Sequence, residues 1–320
     1  MRSTSMLVFV LLPGALAAQA PRPADLGQLF RYDATQPLDA RDSVLEQADG
    51  VVVHGLTYAS PAGGRVTAYL VRPIAPGRHP ALLFGHWGYG DKTEFLPEAS
   101  LYARLGAVSL LIDYPWVRPA EWRRDEGSLD HPEVDRDVHV QAVVDLRRGL
   151  DLLAARADVD TARLVYVGHS YGAQWGAILS AVEPRLKAVV LMAGVPDDRA
   201  ILLDSNDPSM VAYRGRWTQE QLARYLDVNE VLNAVRFVRY AAPTPLLLQF
   251  ARYERLFDEA AMRRYADAAS EPKTVLWYPT GHDLNDAQAL FDRATWVARQ
   301  LGLGPLDAEV ARMLRVATGR

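Results

Sequence analysis

Gly168, His169, Ser170, Tyr171 and Gly172 carry the first chemical signal in the chain. They follow the apolar run 164–167 and precede the helical stretch 173–181. The G-x-S-x-G pattern thus falls between a strand and a helix, the context that presents a serine hydroxyl above a sheet. Glycines flank it because side chains there would collide with the strand and the helix. A serine hydroxyl becomes an effective nucleophile only when a base takes its proton. In the chain order Ser, acid, His that accompanies this motif, the base must follow Ser170, and of the seven histidines only His282 does. It sits in Pro279, Thr280, Gly281, His282, Asp283, directly after the last apolar run and before the final long helical stretch.

The imidazole in turn needs a carboxylate to hold its tautomer and stabilise its charged form. After the apolar run 245–250 the chain reads Ala251, Arg252, Tyr253, Glu254, Arg255, Leu256, Phe257, Asp258. Glu254 has the offset of a loop residue just past a strand and is the choice. Asp258 reads as the N-cap of the next helix and is the alternative, with Asp198, after the preceding strand, a third. An oxyanion formed in acyl transfer needs two oriented N–H donors, one from the residue after the nucleophile and one from the loop after an early strand. Tyr171 supplies the first. Gly88, in Gly85, His86, Trp87, Gly88, Tyr89, Gly90, is chosen for the second, with Trp87 next. Trp87, Tyr89 and Trp116 are read as substrate-binding, with Trp122 and Trp175 nearby; the competing reading of these aromatics is cover for a core edge. Arg118, Arg123 and Arg124 are read as solvated.

Other chemistries are disfavoured. The stretch 85–93 resembles a phosphate-binding G-x-x-x-x-G-K-T, but Asp91 displaces Lys92 by one position and brings negative charge where phosphate would sit. There is no H-E-x-x-H pattern, and the absence of Cys removes disulfides, thiolate metal sites and a cysteine nucleophile, so neither metal nor cofactor is expected. Net charge is −4 with no basic run, which argues against nucleic acid as a partner.

The elements that must position these residues follow from the hydrophobic pattern. Of the 320 residues 49% are hydrophobic and 23% charged, enough for a large core. Residues 1–20, with Arg2, an apolar run 6–12 and the small-residue stretch 15–20, have the layout of a secretory signal peptide cut after Ala17, Ala18 or Ala20. Secretion or periplasmic location is the expectation, with no membrane span. Residues 21–50 read as a lead-in lying over the domain, and 51–59 with 65–72 as an antiparallel hairpin around a Gly-rich turn. Short apolar runs at 81–85, 107–112, 164–167, 188–192, 245–250 and 274–278 alternate with helical stretches at 95–105, 134–155, 173–181, 259–269 and 285–301. That alternation predicts an α/β fold, a doubly wound, mostly parallel sheet, as one domain spanning 21–320. The connection 115–137 is long, and 195–244, with helices predicted at 218–226 and 228–238, is a helical cap or lid insertion before the seventh strand.

These residues resemble the α/β-hydrolase superfamily, in its secreted branch similar to dienelactone hydrolases and acetyl xylan esterases. The likeness rests on the hairpin, the His86, Trp87, Gly88 loop, the Gly168 to Gly172 elbow, the Glu254 region and the Gly281, His282 loop. It implies a Ser/acid/His hydrolase of carboxylic esters, small-molecule or polymer-linked, working without a cofactor. Dienelactone hydrolases usually carry a Cys nucleophile, and superfamily members commonly use Asp as the acid, so Ser170 and Glu254 are departures. Two other readings stand beside it. One is a serine peptidase similar to prolyl-oligopeptidase catalytic domains, which often carry Tyr after the nucleophile. The other is a non-catalytic binding protein on the same scaffold. Oligomeric state is open.

Overall fold

In the computed structural model, residues 22–307 and Glu309 are described. The segment read as an export signal, 1–20, lies outside them. In chain order the elements are β1 (Arg41–Ala48), β2 (Val51–Ala59), β3 (Arg65–Pro73), β4 (His79–Gly85), α1 (Leu96–Arg104), β5 (Val108–Ile112), α2 (Pro132–Ala155), β6 (Val159–His169), α3 (Tyr171–Val182) and β7 (Leu186–Met192). Four helices follow, α4 (Asp198–Leu202), α5 (Pro208–Arg214), α6 (Gln219–Asn229) and α7 (Ala234–Val238), then β8 (Leu246–Ala251), α8 (Glu259–Ala268), β9 (Lys273–Tyr278) and α9 (Ala287–Leu301). One nine-stranded sheet runs in the order β1-β2-β3-β5-β4-β6-β7-β8-β9. β1, β2, β3 and β5 pair antiparallel in succession, and every pairing from β5 to β9 is parallel. This is the α/β-hydrolase fold with the expected N-terminal antiparallel hairpin.

The continuous apolar runs make parallel strands because both sheet faces are covered. Along β4, Ala81 and Leu83 belong to the core shared with α2 and α3, while Leu82 and Phe84 belong to the core beneath α1 and α9. Two features differ from the sequence expectation. The lead-in contains β1, an edge strand whose residues are all exposed and so show no alternation of apolar and polar positions. Between β7 and β8 there are four α-helices where two were expected. Asp197 and Asp207 each cap a further one, accepting from Ala200 and Ser209 N–H. The helix expected over 228–238 is broken by extended Asn233, so that α6 runs on to Asn229, 230–232 form a 3-10 turn and α7 takes only Ala234–Val238. The helix expected from Thr218 begins there, with a capping box formed by Thr218 and Gln221. Part of the lead-in lies against α2, where Phe30 is fully buried and Arg147 donates to its carbonyl at 2.6 Å.

The turn from β6 into α3 is the tightest place in the fold. Gly85 pairs with Gly168 in the sheet register. A Cβ on Gly168 would overlap the Gly172 carbonyl, and one on Gly172 would overlap the carbonyl of Gly85. Both clashes are with backbone, which cannot swing aside. Gly172→Ala is therefore expected to lower unfolding free energy by about 2 kcal/mol or more, read as a reduced urea midpoint with unchanged m-value; a midpoint equal to wild type would show the turn has slack.

Candidate active site

Ser170 occupies the turn with φ 55° and ψ −112°, a left-handed conformation that a serine adopts only under constraint. Its N–H donates to the Met192 carbonyl at 2.8 Å, and its carbonyl accepts from Gln174 N–H at 3.0 Å in the first turn of α3. The hydroxyl is 2.9 Å from His282 Nε2, and His282 Nδ1 is 2.6 Å from Glu254 Oε2. Three residues read from separate parts of the sequence thus form one hydrogen-bonded line.

Pairing between β8 and β9 continues past the strands and sets that line. Arg252 N–H donates to the Tyr278 carbonyl at 2.8 Å and Tyr253 N–H to the Thr280 carbonyl at 3.1 Å, so the loops bearing Glu254 and His282 leave the sheet side by side. Glu254 is not in a surface pair with its neighbouring arginines: its carboxylate is almost fully buried, and Oε1 accepts from Arg255 and Leu256 N–H, both at 2.9 Å. Arg252 instead lies over the Trp277 ring, 6.0 Å from its centroid. Asp258 is the N-cap of α8, bound to Ala261 N–H at 2.7 Å. Asp198 stands at the start of α4, away from this line.

Of the two residues expected to offer N–H groups to an oxyanion, Tyr171 opens α3, so its N–H has no intrahelical acceptor. Of the two loop candidates, Trp87 N–H is engaged by Glu94 Oε2 at 2.8 Å, while the Gly88 carbonyl is pinned by the Trp116 indole N–H at 2.7 Å. Gly88 lies against the Tyr171 ring, and its own N–H has no hydrogen-bond acceptor among the described residues. Trp87 and Tyr89 are exposed, 39% and 83% accessible, whereas Trp116 is buried and supports the loop from beneath, edge-on to Tyr171. Trp175 is fully buried.

The arginines of the long loop are not uniformly solvated. Arg118 is buried, donating to the Asp113 carbonyl and to Asp145 Oδ2, and Arg124 holds Gln141, while Arg123 faces exposed Asp125. The stretch that mimicked a phosphate loop closes on itself. Lys92 Nζ is 2.6 Å from buried Asp113, and Asp91 accepts from Thr93 N–H at 2.7 Å.

A cavity of about 260 Å³ lies beside Tyr171, between Tyr89, Glu126 and Asp135 on one side and Met210, Tyr213 and Tyr225 of the inserted helices on the other. A larger one, about 590 Å³, is at the far ends of β7 and β8, near Leu186 and Pro245. Glu126, Asp135 and His139 bring one ligand-capable atom each within 4.8 Å of one another, but they also satisfy each other, with His139 Nε2 3.0 Å from Glu126 Oε1. Burial works against a charged His139, yet Glu126 and Asp135 outweigh it and raise its pKa. No tight His/carboxylate cluster is expected from the sequence, and this one corrects that: Asp135 and His139 stand four apart on one helix, and Glu126 reaches them from the preceding loop.

Burial, with Asp135 and Asp197 adding repulsion, pushes the Asp198 carboxyl up to about 7. A carboxyl whose folded pKa lies above its unfolded one favours folding least when ionised, so its cost grows as pH rises from the ordinary carboxylate range to about 7 and is constant beyond. Asp198→Asn should therefore be more stable than wild type at pH 8, with the advantage gone by about pH 4. Paired thermal melts across that range check it, and a pH-independent difference would contradict it.

The sequence pattern of the acetyl xylan esterase (AXE1) family matches residues 24–197, a little over half of the chain. No curated protein matches it by sequence. Among solved structures, acetyl xylan esterase 1 from Thermoanaerobacterium sp. JW/SL YS485 superposes with a TM-score of 0.71 at 18% identity, over 88% of this chain and 95% of that one. The acetyl xylan esterase from Paenibacillus sp. R4 gives 0.65 at 18% identity, over 81% and 87%. A prolyl endopeptidase structure gives 0.60 at 18% identity, over 82% of this chain and 40% of that one. At these identities the structural likeness speaks for the fold; the family match carries the relationship, and the chain belongs to the acetyl xylan esterase family of carboxylic ester hydrolases.

Proposed function

We propose that the chain hydrolyses carboxylic esters through a Ser170 acyl-enzyme, with His282 as base and Glu254 as its carboxylate. The carrying observation is the continuous line of Ser170 Oγ, His282 and Glu254 at 2.9 and 2.6 Å. Ser170 Oγ attacks the ester carbonyl carbon while His282 Nε2 takes the hydroxyl proton, and Glu254 stabilises the imidazolium. The tetrahedral oxygen receives the N–H groups of Tyr171 and Gly88. Collapse breaks the bond to the alcohol, which leaves with the proton from His282. Water, giving a proton to the same nitrogen, then attacks the acyl carbon, and Ser170 leaves with that proton as the acid departs.

Acetylated sugar polymers are the substrate class favoured by the family match. The cavity beside Tyr171 is the proposed substrate pocket, with Tyr89 in its wall, Trp87 packed against Tyr89, and the helices α4 to α6 as its cap. Trp116, first read as a substrate contact, is assigned to holding Gly88. The layout of residues 1–20 supports action outside the cytoplasm, and among the described residues no helix is long and apolar enough to cross a membrane.

The test is a hydrolysis panel on the mature protein: p-nitrophenyl esters of increasing acyl length, acetylated xylan and an aminoacyl p-nitroanilide. Ser170→Ala should lower ester kcat by about 10³-fold or more with the fold retained, and near-wild-type turnover would sink the mechanism. Turnover of the anilide alone would transfer the reading to a peptidase. Glu254→Gln keeps shape but not charge, and a loss of about 10²- to 10⁴-fold in kcat is expected; a loss under threefold would point to a different carboxylate.

A further inference from the structure

His169, the residue before the nucleophile, is buried, and its two ring nitrogens face two different loops. Nδ1 is 2.7 Å from Glu94 Oε1, and Nε2 is 2.9 Å from the backbone carbonyl of His282. Both partners are acceptors, so only the doubly protonated ring donates to both. The other oxygen of Glu94 accepts from Trp87 N–H at 2.8 Å, one residue before the Gly88 donor. Glu94 is itself fixed by the turn 91–94, where its N–H donates to the Asp91 carbonyl at 3.1 Å and Lys92 is anchored on Asp113.

We propose that Glu94 and His169 form a hydrogen-bonded strut that fixes the Trp87–Gly88 loop and the His282 loop relative to Ser170, making both of them positioning residues of the site. The proposal rests on the serine-hydrolase reading above. His282 is then gripped at two points, its ring by Glu254 and its carbonyl by His169, and the oxyanion loop is tied to the same pair. Neither Glu94 nor His169 reaches the reacting atoms, so both act through His282 and Gly88. A loop freed at one end moves its catalytic group by a fraction of an ångström or more, which lowers the chemical step and leaves substrate affinity in place.

Glutamine separates a hydrogen-bonded strut from a simple charge effect. At position 94 its oxygen accepts from Trp87 and its amide donates to the Nδ1 of a neutral His169, whose Nε2–H still reaches the His282 carbonyl. Alanine supplies neither contact. The experiment measures kcat and KM for an ester that wild type hydrolyses, the rate of Ser170 labelling by a fluorophosphonate, and the thermal midpoint. Glu94→Ala should lose about tenfold or more in kcat and in labelling rate with KM within about twofold. Glu94→Gln should restore both rates to within about threefold of wild type. His169→Leu, which cuts the strut while leaving Glu94 on Trp87, should repeat the Glu94→Ala kcat loss and serves if that variant fails to fold. The double variant should lose less than the product of the two single losses, since both cut the same Glu94–His169 hydrogen bond.

Folded Glu94→Ala or His169→Leu protein with wild-type kcat, a loss expressed only in KM, or Glu94→Gln as impaired as Glu94→Ala would each overturn the strut. Failure of the underlying reading looks different. Wild type itself would then neither hydrolyse esters nor label at Ser170.

Discussion

The site depends on backbone crowding where β4, β6 and α3 meet. Gly172 N–H donates to the His86 carbonyl at 3.1 Å, and the Tyr166 hydroxyl donates to the Gly172 carbonyl at 2.8 Å from below. No side chain fits at either 168 or 172 without striking that backbone. The first residues of the loop after β4 are therefore held against the first turn of α3, which is why the loop bearing Gly88 sits against Tyr171. The left-handed conformation of Ser170 costs about 1–3 kcal/mol in general terms. It persists because strand pairing with β7 on one side and the helix on the other leave the serine no alternative.

The opposite side of the site is built by extension instead of crowding. Two hydrogen bonds past the ends of β8 and β9 keep their loops parallel for a few residues, long enough to bring Glu254 under His282. The longer side chain has a use there. Glu254 bends back so that one oxygen collects the N–H groups of Arg255 and Leu256 while the other meets the imidazole. The carboxylate is thus satisfied on both oxygens without an arginine, as a buried anion must be. Asp258 could not serve both purposes, since its oxygen is committed to opening α8.

What was legible in the sequence follows from how local each requirement is. The elbow needs glycines on either side of the nucleophile in a strand-to-helix setting, so Ser170 is readable within a window of about ten residues. By order along the chain His282 is the expected base, and its Nε2 lies 2.9 Å from Ser170 Oγ; the sheet is legible in its continuous apolar runs. β1 was not, because a strand exposed on both faces leaves no period of two to detect. Trp116 was read as a pocket wall because sequence position reports that a loop is near the serine, and not whether its ring faces solvent or supports a carbonyl. His169 and Glu94 are 75 residues apart and meet only in the folded chain. As a base His169 is excluded by chain order, and nothing local indicates that its ring meets the His282 carbonyl.

Besides Glu94, two carboxylate systems stand near Ser170, and the fold keeps them apart. Glu254 answers to His282 at the end of the sheet, whereas Glu126, Asp135 and Asp198 surround His139 on α2 beside the cavity. The His139 ring is packed at 5.0–5.3 Å from Trp116, Tyr171 and Trp175. Trp116 carries the hydrogen bond to Gly88, and Tyr171 follows the nucleophile. Helix α6 closes on the same place through the Tyr225 hydroxyl, which donates to Asp135 at 2.6 Å, and through Arg224 to Glu133 at 2.8 Å. These contacts from α6 therefore end on α2, within two turns of the His139 ring that packs on Trp116 and Tyr171. The helices that bound the cavity are thereby joined to α2, whose His139 packs against Trp116, the residue that holds the Gly88 carbonyl.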